Sequence, residues 1–238
     1  MKKHIPNMIT CCNLISGCIA IMYALYGEPK MALCWIIIGA VFDFFDGMTA
    51  RLLHVSSPIG KELDSLADDV TFGVAPASMV FHELMVIDYP AEVASFSEYI
   101  PFVAFLIAAF SALRLAKFNL DERQTTSFIG LPTPANALFW GSLLAGMPKM
   151  IENTGVWALP VLLLLIALSC WLLVCELPMF SLKFKHWGMK GNEVKYGFAI
   201  MSAALLLSSG IIEGFWMVIV LYVALSLIIF LSGKAKAE

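Results

Sequence analysis

Residues 43–77 read DFFDGMTARLLHVSSPIGKELDSLADDVTFGVAPA. Asp43, Asp46, Gly47, Ala50 and Arg51 stand at i, i+3, i+4, i+7 and i+8, which is one face of an α-helix. Asp64 and Asp68, four residues apart, share a face of a second helix, and Thr71 and Ala75 continue it. Pro58 and Gly60 predict the turn between the two. The stretch therefore predicts two adjacent antiparallel helices with four carboxylates projecting from the ends they share. Asp69 falls about 140° from Asp64 on an ideal helix and is left out of that group.

The rest of the chain puts this helix pair in a membrane. Its 238 residues are 60% hydrophobic and only 14% charged, with a mean hydropathy of +0.84. A soluble domain of this size needs a polar surface that such a composition cannot supply. Apolar runs of about 20 residues recur, the length that crosses a bilayer as helix, and the alternation of a transmembrane barrel is absent. The predicted fold class is all-α. It is a polytopic transmembrane helical bundle of about eight spans, near 8–26, 31–53, 62–86, 99–119, 132–150, 156–175, 195–212 and 214–232. Short loops predict that consecutive helices are antiparallel neighbours.

A cytoplasmic N-terminus sorts all but Lys30 and Lys149 of the 15 Lys and Arg residues to the cytoplasmic side, as the positive-inside rule requires. The loop after the third span carries His82, Glu83, Asp88, Glu92 and Glu98 without a Lys or Arg. Both termini are therefore expected in the cytoplasm and the protein in the inner (cytoplasmic) membrane. Lys2 and Lys3 ahead of Ile15-Ser16-Gly17-Cys18 have the outline of a lipoprotein signal. Pro6, Asn7, Thr10 and Asn13 interrupt its apolar region, so 8–26 is expected to be a retained span. Cys11, Cys12, Cys18, Cys34, Cys170 and Cys175 lie in apolar stretches without a CxxC pair and read as packing residues. The 178–195 loop mixes Phe180, Phe184 and Trp187 with Lys183, Lys185 and Lys190, a composition suited to the headgroup layer.

Four carboxylates held together at membrane depth cannot all stay ionised without counter-charge, and Arg51 alone is not enough. Divalent cations meet that need, and an all-oxygen donor set favours Mg²⁺ or Mn²⁺ over zinc. Two such ions form a clamp suited to phosphoryl transfer. Gly47 and Ala50 either leave room for a bulky ligand or serve helix packing. A cation-coupled transporter would also place carboxylates in a bundle, but near the bilayer midplane. Here they cluster at one cytoplasmic edge, beside Arg51 and Lys61.

The pattern D-x2-D-G-x2-A-R-x8-G-x3-D-x3-D, formed by Asp43, Asp46, Gly47, Ala50, Arg51, Gly60, Asp64 and Asp68, resembles the signature of the CDP-alcohol phosphotransferases. The resemblance implies that Asp43, Asp46 and Asp64 are metal ligands and that Asp68 is both ligand and general base. It implies CDP-diacylglycerol binding by Gly47, Ala50, Arg51 and Gly60, with Ser57 and the Pro6-Asn7-x-x-Thr10 start of the first helix as further contacts. Asp64-Ser65-Leu66-Ala67-Asp68, Phe72-Gly73-Val74-Ala75-Pro76, Arg114-Leu115-Ala116-Lys117-Phe118-Asn119 and Phe128-Ile129-Gly130-Leu131-Pro132-Thr133-Pro134-Ala135 are similar to the membrane-bound phosphatidylserine synthase branch. Asp69, where an apolar residue is expected, and Lys117, where arginine is common, depart from it.

That branch implies transfer of the phosphatidyl group of CDP-diacylglycerol to L-serine, with release of CMP. No His-x-Lys-x4-Asp motif is present to support a covalent phosphohistidine route. Arg114 and Lys117 are candidates for the serine carboxylate, or else positive-inside anchors. Glycerol phosphate and inositol phosphate are the alternative acceptors. Residues 1–150 are expected to form the core and 151–238 additional transmembrane helices. The lipid bilayer and a second copy of the chain are candidate partners, and nucleic acid is not.

Overall fold

The computed structural model describes residues 4–55, 57–121, 128–146, 155–180, 188 and 192–232. It is a helical bundle: α1 (His4–Leu25), α2 (Pro29–Leu52), α3 (Pro58–Asp68), α4 (Ala75–Val86), α5 (Leu106–Leu120), α6 (Thr133–Gly146), α7 (Ala158–Val174), α8 (Glu193–Ser209) and α9 (Ile211–Leu231). Helix thus covers part or all of every segment expected to be apolar helix. Among the described residues, four stretches are long and apolar enough to cross a membrane: His4–Leu25, Pro29–Leu52, Ile100–Leu120 and Gly214–Leu231. Ala158–Val174 is apolar but shorter. The chain is a helical membrane protein.

The α2–α3 pair forms as local chemistry dictates. Pro29 occupies the first turn of α2, where its missing N–H costs nothing. At α3 the Ser57 hydroxyl accepts from the Gly60 N–H at 3.0 Å, with Pro58 in the first turn, a side-chain cap on an otherwise orphaned donor. Gly60 therefore lies inside α3 and not in the turn. The turn falls at Leu53–His54, where His54 adopts φ 52°. The glycine is needed for close approach instead: a Cβ there would sit 3.1 Å from Asn7 Oδ1 and 3.0 Å from Ser57 Oγ.

Between α3 and α4 the helix widens into a π segment, Asp69–Val74. The Ala75 N–H bonds to the Val70 carbonyl five residues back. Pro76 follows at once, and its ring cannot donate to the preceding turn. The wider turn takes up that mismatch directly after Asp68, and such π turns occur often at functional sites.

α1, α2 and the π segment converge on Thr71, whose hydroxyl donates to the Asn13 carbonyl at 3.0 Å. A Cβ on Gly17 would lie 2.8 Å from Thr71 Cα, and one on Gly39 would lie 2.6 Å from Thr71 Cγ2. Small residues let helices approach where lipid supplies no hydrophobic drive between them. The main apolar core gathers Ile36, Phe72, Leu84, Ile107, Trp140 and Ile166, and a second cluster gathers Leu131, Met179, Phe198 and Tyr222.

The expected order of neighbours holds for α1–α2 and α8–α9, but α6 packs chiefly on α9 and α2 and only lightly on α7. Phe128–Ile129 pairs antiparallel with Pro178–Met179, and the Gly130 N–H donates to the Leu177 carbonyl at 2.9 Å. That bridge ties the approach to α6 to the segment leaving α7. Lys2, Lys3, Arg123, Lys149, Lys183, Lys185, Lys190, Lys234 and Lys236, with Phe184 and Trp187, lie outside the described residues.

Candidate active site

Carboxylate oxygens of Asp43, Asp64 and Asp68 lie within 4.8 Å of one another. α2 supplies the first and α3 the other two, so the helix pair read from residues 43–77 brings them together. Asp64 Oδ1 is buried without a hydrogen-bond partner. A buried, unpaired carboxylate oxygen on a residue grouped with two further carboxylates is a costly arrangement on its own. A hard divalent cation fits this all-oxygen set, so the triad could hold one. Asp46 stands beside the triad and outside it; its Oδ2 accepts from the Thr10 hydroxyl at 2.6 Å. It is 6% exposed.

α1 supplies the supports. Asn13 Nδ2 donates to Asp68 Oδ1 at 3.0 Å, and Asn13 is wholly buried. Sequence reasoning missed Asn13 as a site residue. The available signal was its position, one turn beyond Thr10 and two beyond Pro6 in an otherwise apolar helix, on the face that carries both. Asp69 turns away from the triad towards α5. A Cβ on Gly73 would lie 2.6 Å from Asp69 Oδ1 and 3.0 Å from Ser111 Cβ.

A cavity of about 300 Å³ opens beside the carboxylates, lined by Pro6, Asn7, Thr10, Asp46, Gly47, Ala50, Val55, Ser57, Gly60, Lys61 and Asp64. It gathers Asn7, Thr10, Gly47, Ala50, Ser57 and Gly60, six of the residues singled out for donor binding. A Cβ on Gly47 would meet nothing within 4 Å, so Gly47 borders open space and is not a helix-packing residue. Arg51 is absent from the wall; it is exposed, and its Nε donates to the Gly47 carbonyl at 3.0 Å. Lys61 does line the cavity and was read only as a topological charge. Its Nζ donates to the Asn119 carbonyl at 3.0 Å. Asn119 Nδ2 in turn donates to Ser65 Oγ at 2.7 Å, which fastens α3 to the end of α5.

Arg114 and Lys117 line a different cavity, of about 430 Å³, with Phe118, Asp121, Ile129 and Glu176 among its walls. Lys117 is exposed. Arg114 is 6% exposed, its Nε has no partner, and its guanidinium carbon lies 5.5 Å from the Phe118 ring centre. Asp68 is close enough to act on it electrostatically. Arg114 therefore links this second cavity to the carboxylates.

A sequence model of the CDP-alcohol phosphatidyltransferase family matches residues 3–182. The chain belongs to that family. It is similar to the CDP-diacylglycerol–serine O-phosphatidyltransferase of Bacillus subtilis, 42% identical over 136 residues that cover 56% of this chain and 70% of the relative. It is also similar to the proteins of that name from Mycobacterium tuberculosis, 35% identical over 164 residues, and Saccharomyces cerevisiae, 36% over 166 residues. Those matches cover 65% and 63% of this chain and about half of the relatives, 54% and 55%.

Proposed function

We propose that this protein transfers the phosphatidyl group of CDP-diacylglycerol to L-serine, giving phosphatidylserine and CMP for phospholipid synthesis. The observation that carries the proposal is the cavity bordered by Asp46, Gly47 and Asp64, with the Asp43–Asp64–Asp68 triad beside it. The names of the relatives support serine over glycerol phosphate or inositol phosphate as acceptor.

Asp43, Asp46, Asp64 and Asp68 would hold Mg²⁺ or Mn²⁺, as a two-ion site. When bound, the ions neutralise the diphosphate and stabilise the attacking and leaving oxygens. The donor headgroup occupies the cavity, with Asn7, Thr10 and Ser57 as hydrogen-bonding groups and Gly47, Ala50 and Gly60 leaving space. Arg51 reaches the donor after releasing the Gly47 carbonyl. Asn13 keeps Asp68 oriented through Oδ1, which leaves Oδ2 to take the serine hydroxyl proton. The serine oxygen then bonds to the lipid-side phosphorus, the phosphoanhydride bond breaks, and CMP departs. Arg114 pairs with the serine carboxylate, and Lys117 adds positive charge at the rim.

Arg114→Ala is expected to raise the apparent KM for serine about tenfold or more, on the scale of a charge-assisted hydrogen bond, with the KM for the lipid donor little changed. Steady-state kinetics with each substrate varied in turn checks this. Unchanged serine dependence makes Arg114 a topological anchor, and preference for glycerol phosphate over serine contradicts the acceptor.

We also infer eight spans with both termini and the site facing the cytosol, in the inner membrane. Residues 1–150 serve as the core and 151–238 as additional helices. The sorting of Lys and Arg supports this topology, and a second copy of the chain is a candidate partner. A reporter fused after Glu238 is expected to read cytoplasmic; a reading on the far side contradicts the topology.

A further inference from the structure

Lys61, Asp64 and Asp68 stand at i, i+3 and i+7 of α3. One face of that helix therefore carries an ammonium a turn ahead of two carboxylates. Lys61 lines the cavity of about 300 Å³ together with Asp46 and Asp64. Among the described residues it is the only Lys or Arg on that wall. Arg51 stays off the wall, with its Nε on the Gly47 carbonyl. Metal binding by the aspartates gives Lys61 no task.

An exposed lysine ordinarily keeps its rotamer freedom in water. Lys61 is exposed, yet its head is held. Its Nζ donates to the Asn119 carbonyl at 3.0 Å. Asn119 Nδ2 donates to Ser65 Oγ at 2.7 Å, and Ser65 Oγ donates to the Lys61 carbonyl at 3.3 Å. The ring of bonds starts and ends on Lys61, so it fixes the side chain against its own turn of helix. A carbonyl takes up one of the three N–H donors of an ammonium and, unlike a carboxylate, does not cancel its charge. A cation held in place on a cavity wall is an anion subsite whose ordering cost is met before the ligand arrives.

We propose that Lys61 binds the diphosphate of the nucleotide donor, with Asn119 as the residue that positions it. The inference rests on the reading that this cavity takes the CDP moiety. The aspartates reach a diphosphate only through metal, whereas an ammonium bonds to phosphate oxygens directly. Lys61 thus adds a fixed charge for the phosphate that leaves with CMP, on which negative charge develops as the phosphoanhydride bond breaks. A lysine that only sorts topology, or only fastens α3 to the end of α5, would not tell a nucleotide from its nucleoside.

The test compares equilibrium binding of CDP and of cytidine, which lacks the phosphates, to the full-length protein in nanodiscs at saturating Mn²⁺. Lys61→Met is expected to weaken CDP binding about tenfold or more, the scale of a hydrogen bond to a charged group. Cytidine binding should be unchanged. Lys61→Arg, which keeps the charge, should recover most of the CDP affinity. Equal CDP affinity in Lys61→Met and the unaltered protein overturns the proposal, even if the Tm of the variant falls; Lys61 is then a fastener between α3 and α5. Weakening of CDP and cytidine by the same factor also overturns it, because the damage is then to the cavity and not to a phosphate contact. An unaltered protein that binds no CDP removes the donor reading and this proposal with it, a result seen before any variant is made. No transfer to serine is measured, so the outcome is independent of the acceptor.

Discussion

Excess EDTA followed by dialysis is expected to lower turnover by roughly 10³-fold, since a metal clamp supplies several kcal/mol of transition-state stabilisation. Added Mn²⁺ or Mg²⁺ should restore it. Three carboxylates with ligand oxygens within 4.8 Å of one another, one of them with a buried unpaired oxygen, motivate the expectation. Asn13 and Thr10 each supply one hydrogen bond, to Asp68 and Asp46, which does not replace a dication. Asp43→Asn and Asp64→Asn should raise the metal concentration needed for half-maximal activity. Full activity after dialysis against EDTA would rule out a metal-assisted reaction at this site.

Asp68→Asn is expected to lose about 10²-fold to 10⁴-fold in turnover while donor binding persists, the scale on which loss of a general base is felt. The substitution preserves shape, and its amide oxygen can still accept from Asn13. What it removes is the carboxylate proposed to take the serine proton. Single-turnover rates, measured beside equilibrium binding of CDP-diacylglycerol, separate the two effects. A variant with near-normal turnover would remove Asp68 from proton transfer. Loss of donor and metal binding together would make its ligand role the dominant one.

The carboxylate group could be read from residues 43–77 because helical periodicity alone puts Asp43 with Asp46 and Asp64 with Asp68. Gly47 and Ala50 were also identified, though only the open space beside Gly47 separates a ligand wall from a helix contact. The supports from α1 were harder to see. Asn13 contacts Asp68 across 55 positions of sequence, and no local pattern encodes a contact of that separation. Gly60 was misplaced in a turn because glycine signals both turns and close approaches, and only the packing of Asn7 against α3 distinguishes them. The π turn at Asp69–Val74 depends on how Pro76 is accommodated within a long helix. The docking of α9 on α6 was missed because loop length predicts sequence neighbours, whereas the apolar faces of these helices all read alike.

The most direct measurement is incubation of the purified protein with CDP-diacylglycerol, Mn²⁺ and radiolabelled L-serine, followed by lipid extraction and quantification of CMP. Label is expected in a lipid that co-migrates with phosphatidylserine, with one CMP released for each serine incorporated. Label that stays wholly in the aqueous phase, while labelled glycerol phosphate or inositol phosphate enters lipid under the same conditions, would contradict serine as the acceptor.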